Sequence, residues 1–536
     1  MDTSDSFLKA PEKQIFTRPL RVLVIGAGSR GTAYAQSTLN ATNSLVAAVC
    51  EPIEYKRREF GRKFIWGTSP AKPNQAFPDW RAWAAYEAQR REKEEQGEDV
   101  EAGIDAVFVC VLDEMHEEVV CGIAHLRVHV CVEKPLSTRL ESCVRMYRAL
   151  KSAGTDADIG KKKDPIFGIC HVLRYSPHNM LLRDLVLEKN VIGDVLSVEH
   201  VEPVGWWHFS HSYVRGNWRK ESTSAPSLLT KSCHDIDFLM WLLCSPARSA
   251  PISTPPHLPS TITSTGTRSF FRRERKPKAA GTATNCLSCP HEQACTYSAK
   301  KIYLDRHLRK GNTAWPIKII NPEIEDIFHT AGKDAAEAQL LANLAEDYTS
   351  STPVADVEKR PWFGRCVWDA DNDVCDDQHV VISWADSPLP GPNTDDERNR
   401  RAAKTASFHM TAFTQKICER RGRIYGTAGE LAYDSTTISV YDFASGETVV
   451  HEPHLAGGGH GGGDEGLVRQ FLRAVDAVES GGVEAQEAQR RFLGCDLEEV
   501  VRSHAVVFAA EEARREGRVV DWGVWWGERV EGGLGA

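Results

Sequence analysis

With 536 residues, 65 basic against 74 acidic side chains and a formal net charge of −9, the chain exceeds the ~250–300 residues of one core and has no basic footprint for nucleic acid. Its 41% hydrophobic and 26% charged residues are those of a globular protein, and no run approaches the ~18 uninterrupted apolar residues of a membrane helix. The polar start MDTSDSFLKAPEKQ lacks the core of a signal peptide, and most of the fifteen cysteines sit singly in apolar runs (Cys50, Cys110, Cys131, Cys170), so reduced thiols and a cytoplasmic location are expected.

The apolar run Val22 to Ile25 predicts a buried parallel strand that feeds directly into Gly26-x-Gly28-x-x-Gly31, with a helix from Thr32 onward. Gly26 would make the tight turn, Gly28 would let a pyrophosphate approach the backbone, and Gly31 would let helix and strand pack closely. The phosphates would then lie on the free N–H groups of the helix start, beside Ser29 and Arg30. A second apolar run, Leu45 to Cys50, ends in Glu51, twenty residues after Gly31. An acid there can accept from both ribose hydroxyls and repels a 2′-phosphate, which predicts NAD over NADP.

Further along, Trp83 to Gly97 predicts a charged, solvated helix, Ile104 to Leu112 a buried strand, and His116 to Leu126 a crossover helix. Val128 to Val132 predicts the next strand, ending in Glu133-Lys134-Pro135; a helix over Arg139 to Ala153 and a strand over Pro165 to Val172 complete a doubly wound parallel sheet over residues 18–173. Lys134 falls at the carboxyl end of its strand, where open α/β sheets bind ligands, and a lysine there can polarise a hydroxyl during hydride transfer.

Glu133-Lys134-Pro135, following GAGSRG and His116, resembles the pattern of the Gfo/Idh/MocA oxidoreductases, the glucose–fructose oxidoreductase and inositol dehydrogenase family. That resemblance implies that Lys134 lies beside the nicotinamide and contacts the substrate hydroxyl, with His116, Glu133 and Pro135 in the cofactor site. It also implies face-to-face association of open sheets into homodimers or homotetramers.

From residue 174 the rhythm changes. Short alternating runs (Val195 to Glu202, His379 to Trp384, Ala406 to Thr414, Ile438 to Tyr441) predict a large, mainly antiparallel sheet with helices over Asn179 to Lys189, Lys231 to Cys244 and Asp334 to Asp347. The fold expected is α/β: an N-terminal Rossmann domain, then a substrate-binding α+β domain over 174–463. Surface insertions are expected near 246–280, rich in Ser, Thr and Pro, and near 386–404. The helices Asp464 to Ser480 and Cys495 to Gly517, within 464–536, would pack back on the core.

The resemblance continues in Arg174-Tyr-Ser-Pro177, Ile192-Gly-Asp-Val195 and His234-x-x-Asp237. Relatives commonly carry an aspartate four residues before the histidine; Thr230 stands there instead. Helical spacing puts Lys231, His234, Asp235 and Phe238 on one face, so Lys231 or Asp235 would tune the imidazole toward neutrality for acid–base work. Lys134, His234 and Asp235 are therefore the candidate catalytic residues. The segment Trp206 to Arg219 offers aromatic faces and donors suited to a polyhydroxylated ligand. It resembles a family segment that implies substrate contacts from Arg174, Tyr213, Arg215, Trp218, Lys231 and His234, and from His460 in the loop Gly457 to Gly463.

Cys286-x-x-Cys289 has zinc-ligand spacing and Cys295 adds a third thiolate, with His291, Cys366 or Cys375 open as the fourth ligand. Any zinc here would be structural, because the hydride chemistry already has a nicotinamide and a lysine. Three functions fit the residues: an NAD(P)-dependent dehydrogenase of a sugar, cyclitol or glycoside; a redox-neutral NAD-dependent glycosidase working by oxidation and elimination; and a non-enzymatic nucleotide-bound sensor, which retention of Lys134 and His234 disfavours. The partner expected is a small polyol or sugar, with no nucleic acid or membrane.

Overall fold

The computed structural model describes residues 7, 9, 11–152, 164–251, 253–388, 400–454 and 459–534. Six strands form an all-parallel sheet in the order β3-β2-β1-β4-β5-β6: β1 (Arg21–Ile25), β2 (Leu45–Cys50), β3 (Ala76–Phe77), β4 (Ala106–Val109), β5 (His129–Val132) and β6 (Phe167–Ile169). Helices α1 (Ser29–Ala41), α2 (Glu54–Phe64), α3 (Trp80–Glu95), α4 (His116–Ile123) and α5 (Leu140–Ser152) alternate with them. Val22 to Ile25 and Ala106 to Val109 are buried, as continuous apolar runs must be in a sheet covered on both faces. Strand order reverses between β1 and β4, which opens a crevice at their carboxyl ends.

The second sheet has nine strands. Its members are β7 (Val195–Pro203), β8 (Thr261–Thr267), β9 (Asp377–Trp384), β12 (Lys404–Thr411), β13 (Arg421–Gly426), β14 (Gly429–Tyr433), β15 (Ile438–Asp442), β16 (Thr448–His451) and β17 (Val520–Asp521). A separate ribbon joins β10 (Ser387–Pro388) to β11 (Arg400–Arg401). In the order β16-β15-β14-β13-β7-β12-β9-β8-β17, the pair β7/β12 runs parallel and every other neighbour antiparallel. Buried and less buried residues alternate along β9 and β12, the pattern of a sheet with one face on the core. The helix Cys233–Leu243, buried along its whole length, packs on β12, and the long helix Leu497–Glu516 packs on that helix, on β8 and on α5. One helix thus ties both sheets together. The helix Gly463–Glu479 lies along α1 and sends Phe471 edge-on against Phe108 of β4, with centroids 5.4 Å apart.

Two sequence expectations need correction. The stretch 246–280 is not wholly a surface insertion: its Thr-rich segment is β8, inside the large sheet, because threonine's β-branched side chain suits a pleated surface and Ile262 supplies the buried contact. The helix expected from Lys231 starts at Cys233, after a separate turn Ser227–Thr230. Most of the 386–404 insertion, residues 389–399, lies outside the described residues, as do Gly457 and Gly458. No helix among the described residues is long and apolar enough to cross a membrane. All fifteen cysteines are free thiols.

Candidate functional site

The glycine loop joins β1 to α1, and its three glycines meet three different constraints. Gly26 has φ +99°, and a Cβ there would stand 2.5 Å from the main-chain oxygen of Cys110. At Gly31 a Cβ would fall 2.0 Å from the Gly26 oxygen. At Gly28 a Cβ would meet nothing within 4 Å, so glycine is not required there by packing. The open side at Gly28 faces the start of α1, where Ser29 carries a buried Oγ without a hydrogen-bond partner. Glu51, at the end of β2, is buried with its carboxylate accepting from the Ala27 N–H (2.9 Å) and the Ile53 N–H (3.0 Å). A dinucleotide fits these residues: pyrophosphate over Gly28 and the free N–H groups of α1, ribose near Glu51.

At the end of β5, Glu133 accepts from Arg30 Nε (2.7 Å), the Tyr34 hydroxyl (2.7 Å) and the Lys134 N–H (2.8 Å). Arg30 also pairs with Asp464 (2.8 Å), whose Oδ1 lies 3.2 Å from His460 Nδ1. Despite the opposing penalty of burial, the Arg30 and Lys134 charges hold Glu133 below the usual carboxylate range. This network fixes the backbone on which Lys134 stands. The Lys134–Pro135 peptide is cis, and His116, fully buried, has ring nitrogens 2.8 Å from the Pro135 oxygen and 3.3 Å from the Val111 oxygen. His116 therefore braces the loops after β4 and β5.

Lys134 Nζ donates to the carbonyl oxygen of Thr230 (2.9 Å), four residues before His234. A main-chain oxygen from beyond the parallel sheet thus engages the lysine at Thr230, the position for which the family resemblance implied a carboxylate. His234 is buried, with its ring 5.6 Å from His171 and 6.0 Å from His460, and its Nδ1 has no hydrogen-bond partner. Burial first, then the nearby Lys134, His171, His460 and Arg420, push its pKa well below the ordinary value, so the imidazole is neutral. Burial likewise pushes His171 down to about 3 and His504 to about 4; His504 Nε2 accepts from the Leu136 N–H (2.8 Å), just past the lysine turn.

Asp113 was not singled out by any sequence pattern. It follows β4, is buried, and accepts from Trp218 Nε1 (2.8 Å), so a Rossmann loop and the second domain meet there. Burial raises its pKa, with His116 and Lys134 opposing. Tyr213 stacks on Trp218 at 5.8 Å and on Phe209 at 5.1 Å. A buried acid beside a lysine has no local spacing to betray it; only its place after a central strand could have pointed to it.

Several expected site residues have other partners. Asp235 does not tune His234: it is bound by Arg420 (2.9 Å) and His200 (3.0 Å), because one helical step turns it toward β7 and β13 rather than toward its neighbour. Lys231 precedes the helix and pairs with Glu202 (3.0 Å) and Cys418 Sγ (2.9 Å). Arg174 is buried in a bidentate pair with Asp237 (2.7 Å) and a bond to Glu499 (2.6 Å), so each guanidinium nitrogen donates to a carboxylate and the side chain clamps two helices. Arg215 points into the cysteine-bearing region, donating to the oxygens of Arg365 (2.7 Å) and Tyr297 (2.7 Å).

Cys286, Cys289 and Cys295 line one small cavity together with Cys366 and His291; Cys375 is not among its lining residues. Among the described residues, the group of His, Cys, Asp or Glu ligand atoms lying within 4.8 Å of one another is Asp377, His379 and His409 on β9 and β12, so the cysteine sulfurs do not close on one ion.

Residues 20–160 match the model of an oxidoreductase family with an NAD-binding Rossmann fold, GFO_IDH_MocA. The chain is 29% identical over 140 residues to the 2,7-anhydro-N-acetylneuraminate hydratase of Escherichia coli (strain K12), covering 26% of this chain and 34% of that protein. It is also 29% identical over 194 residues to inositol 2-dehydrogenase 2 of Saccharopolyspora erythraea, covering 36% and 51%. The match thus spans about a third to a half of these curated relatives. Over the whole fold, an inositol dehydrogenase homolog of Azotobacter vinelandii, solved with NAD+, superposes with a TM-score of 0.58 at 13% identity, covering 95% of this chain and 99% of that one.

Proposed function

From the match of residues 20–160 to the GFO_IDH_MocA model of NAD-binding oxidoreductases, we propose that the protein is a nicotinamide-dependent dehydrogenase of a sugar, cyclitol or glycoside hydroxyl. The observation that carries this reading is the meeting of Lys134 with Thr230 and His234: a cation from the crevice of the parallel sheet beside a neutral, buried imidazole whose Nδ1 lacks a partner. Bound nicotinamide would supply the hydride acceptor. Lys134 has three N–H donors, of which the Thr230 oxygen takes one, leaving others to hold the substrate oxygen as its negative charge grows. His234, kept neutral, accepts the hydroxyl proton as the C–H hydride departs. Trp218, half-buried, offers an aromatic face to the C–H side of a ring, with Tyr213 stacked against it and Asp113 fixing its indole.

Glu51 favours NAD, since a 2′-phosphate would meet its buried charge; Arg57, the nearest cation able to offset this, already donates to the Glu51 main-chain oxygen. The reading includes self-association through the large sheet, where alternate residues of β9 and β12 face away from the core. Mixing the protein with NAD and a panel of sugars, cyclitols and glycosides should produce NADH absorbance with at least one of them. A panel without turnover by wild-type protein that binds NAD would overturn the assignment.

Asp113 favours a second reading, the redox-neutral one. It is a buried carboxyl on the loop after β4 with Lys134 among the charges acting on it, so it adds a further group able to handle a proton during elimination, and the E. coli relative is named a hydratase. Release of an aglycone or water-addition product without net NADH would select that chemistry over the dehydrogenase.

A further inference from the structure

We propose that Cys286, Cys289, Cys295 and Cys366 together bind a thiophilic metal as a four-thiolate centre that staples the cysteine loop to the second domain. Backbone pairing selects Cys366 as the fourth member. The Cys286 N–H donates to the Gly364 oxygen (2.9 Å) and the Cys366 N–H to the Thr284 oxygen (2.8 Å), around an antiparallel bridge between Asn285 and Arg365. These bonds place Cys286 and Cys366 as diagonal neighbours across the bridge. Cys289 follows the turn Cys286–Ser288 and Cys295 the next turn, Glu292–Ala294, so both return to the same cavity.

Arg215 provides the independent observation. Its side chain is 1% exposed, lines the cavity, and donates to Cys286 Sγ (3.4 Å) besides its two carbonyl oxygens. Its Nη1 makes no hydrogen bond, and no carboxylate pairs with it among the described residues; the groups around it include Cys286, Tyr303, Cys366, Cys295 and His211, and Glu292 of the same cavity wall pairs instead with Lys300 (3.5 Å). An isolated buried guanidinium is costly. Arg174 shows how the same chain neutralises one when carboxylates are used: Asp237 and Glu499 surround it. Four thiolates around a divalent ion, or around an iron–sulfur cube, leave a net negative charge that Arg215 would balance. Ligation releases the thiol protons, and metal–sulfur bonds replace the S–H bonds. Because the sulfurs stand too far apart for one ion's shell, binding either draws the two turns inward or spans a cluster; both are four-thiolate centres, separable by metal content.

The test is metal and sulfide analysis of full-length protein purified anaerobically without chelators or an affinity metal. The expected result is about one zinc per chain for a single ion, or about four irons with matching sulfide and visible absorbance for a cluster. Cys366→Ser and Cys289→Ser should lose most of it, whereas Cys375→Ser should keep it. Should the first two fail to fold, alkylation of the wild type decides: Cys289 and Cys295, both partly exposed, should resist modification until a chelator is added. Absence of stoichiometric metal, full retention in a folded Cys366→Ser protein, or alkylation of Cys289 and Cys295 without chelator would overturn the proposal.

Discussion

In the glycine loop, ligand-facing polarity comes from the backbone, and Gly26 and Gly31 answer local steric demands while Gly28 leaves open space; around His234 it comes from side chains brought together from β4, β5, the helix Cys233–Leu243 and the helix Gly463–Glu479. The first region is built by neighbours in sequence. The second exists only after two sheets have packed. A dinucleotide site is consequently readable from a dozen residues, while the chemistry above it depends on contacts whose partners are hundreds of residues apart, such as Arg30 with Asp464 or Leu136 with His504.

The contrast is broken most severely at the reacting groups. Lys134→Ala and His234→Ala should each lower turnover ~100- to 10,000-fold, the range for a positioned acid or base, while binding NAD with unchanged affinity. Steady-state kinetics beside NAD titration checks this, and loss of NAD binding instead would mean that these residues serve the loop.

Next comes stability without specificity. Arg174→Met should cost about 3–5 kcal/mol, because it strands the buried Asp237 carboxylate, and should leave KM for the substrate unaltered. Chemical denaturation measures the first and kinetics the second. Asp235→Asn should likewise lower stability, since Arg420 and His200 lose their partner, and should shift no pKa in the turnover profile.

Within the glycine loop, Gly31→Ala should lower the melting temperature, its Cβ having no room against the Gly26 oxygen, whereas Gly28→Ala should melt as wild type and weaken NAD binding. Equal effects on both observables at both sites would erase the division between packing and ligand approach. Glu51→Ala should narrow the preference for NAD over NADP, read as the ratio of kcat/KM for the two cofactors.

The smallest effect concerns pH. His171 and His504 titrate near 3 and 4 in the folded protein against an ordinary 6.5, so the unfolded chain takes up protons first as pH falls. Their contribution is complete above about pH 6.5 and drains away toward pH 3–4. Thermal melts should therefore fall across that interval, and more shallowly in His171→Asn.

Legibility in the sequence follows the same division. Gly26, Glu51 and Lys134 sit at or just past the end of an apolar run, Gly28 and Gly31 follow at fixed spacing, and the parallel sheet follows from those runs. His234 is singled out only by its family pattern. Asp235, Lys231, Arg174 and Arg215 have partners that the sequence did not indicate, because a charged residue near a motif carries no mark of the remote group it binds: Arg420, Glu202, Asp237, and the cysteine cavity. Asp113 was missed for the same reason, its partner Trp218 lying in the other domain. The nine-stranded sheet was legible in kind, but β8 was hidden by a Ser/Thr-rich composition that a loop shares with an edge-side strand.

A crystal structure of the protein with NAD bound tests the central claim most directly. The account predicts the pyrophosphate over Gly28 and Ser29, with Lys134 Nζ and the His234 ring within hydrogen-bond reach of one point above the nicotinamide ring. A closed structure that puts either side chain well beyond that reach, or seats the dinucleotide away from the glycine loop, would contradict it.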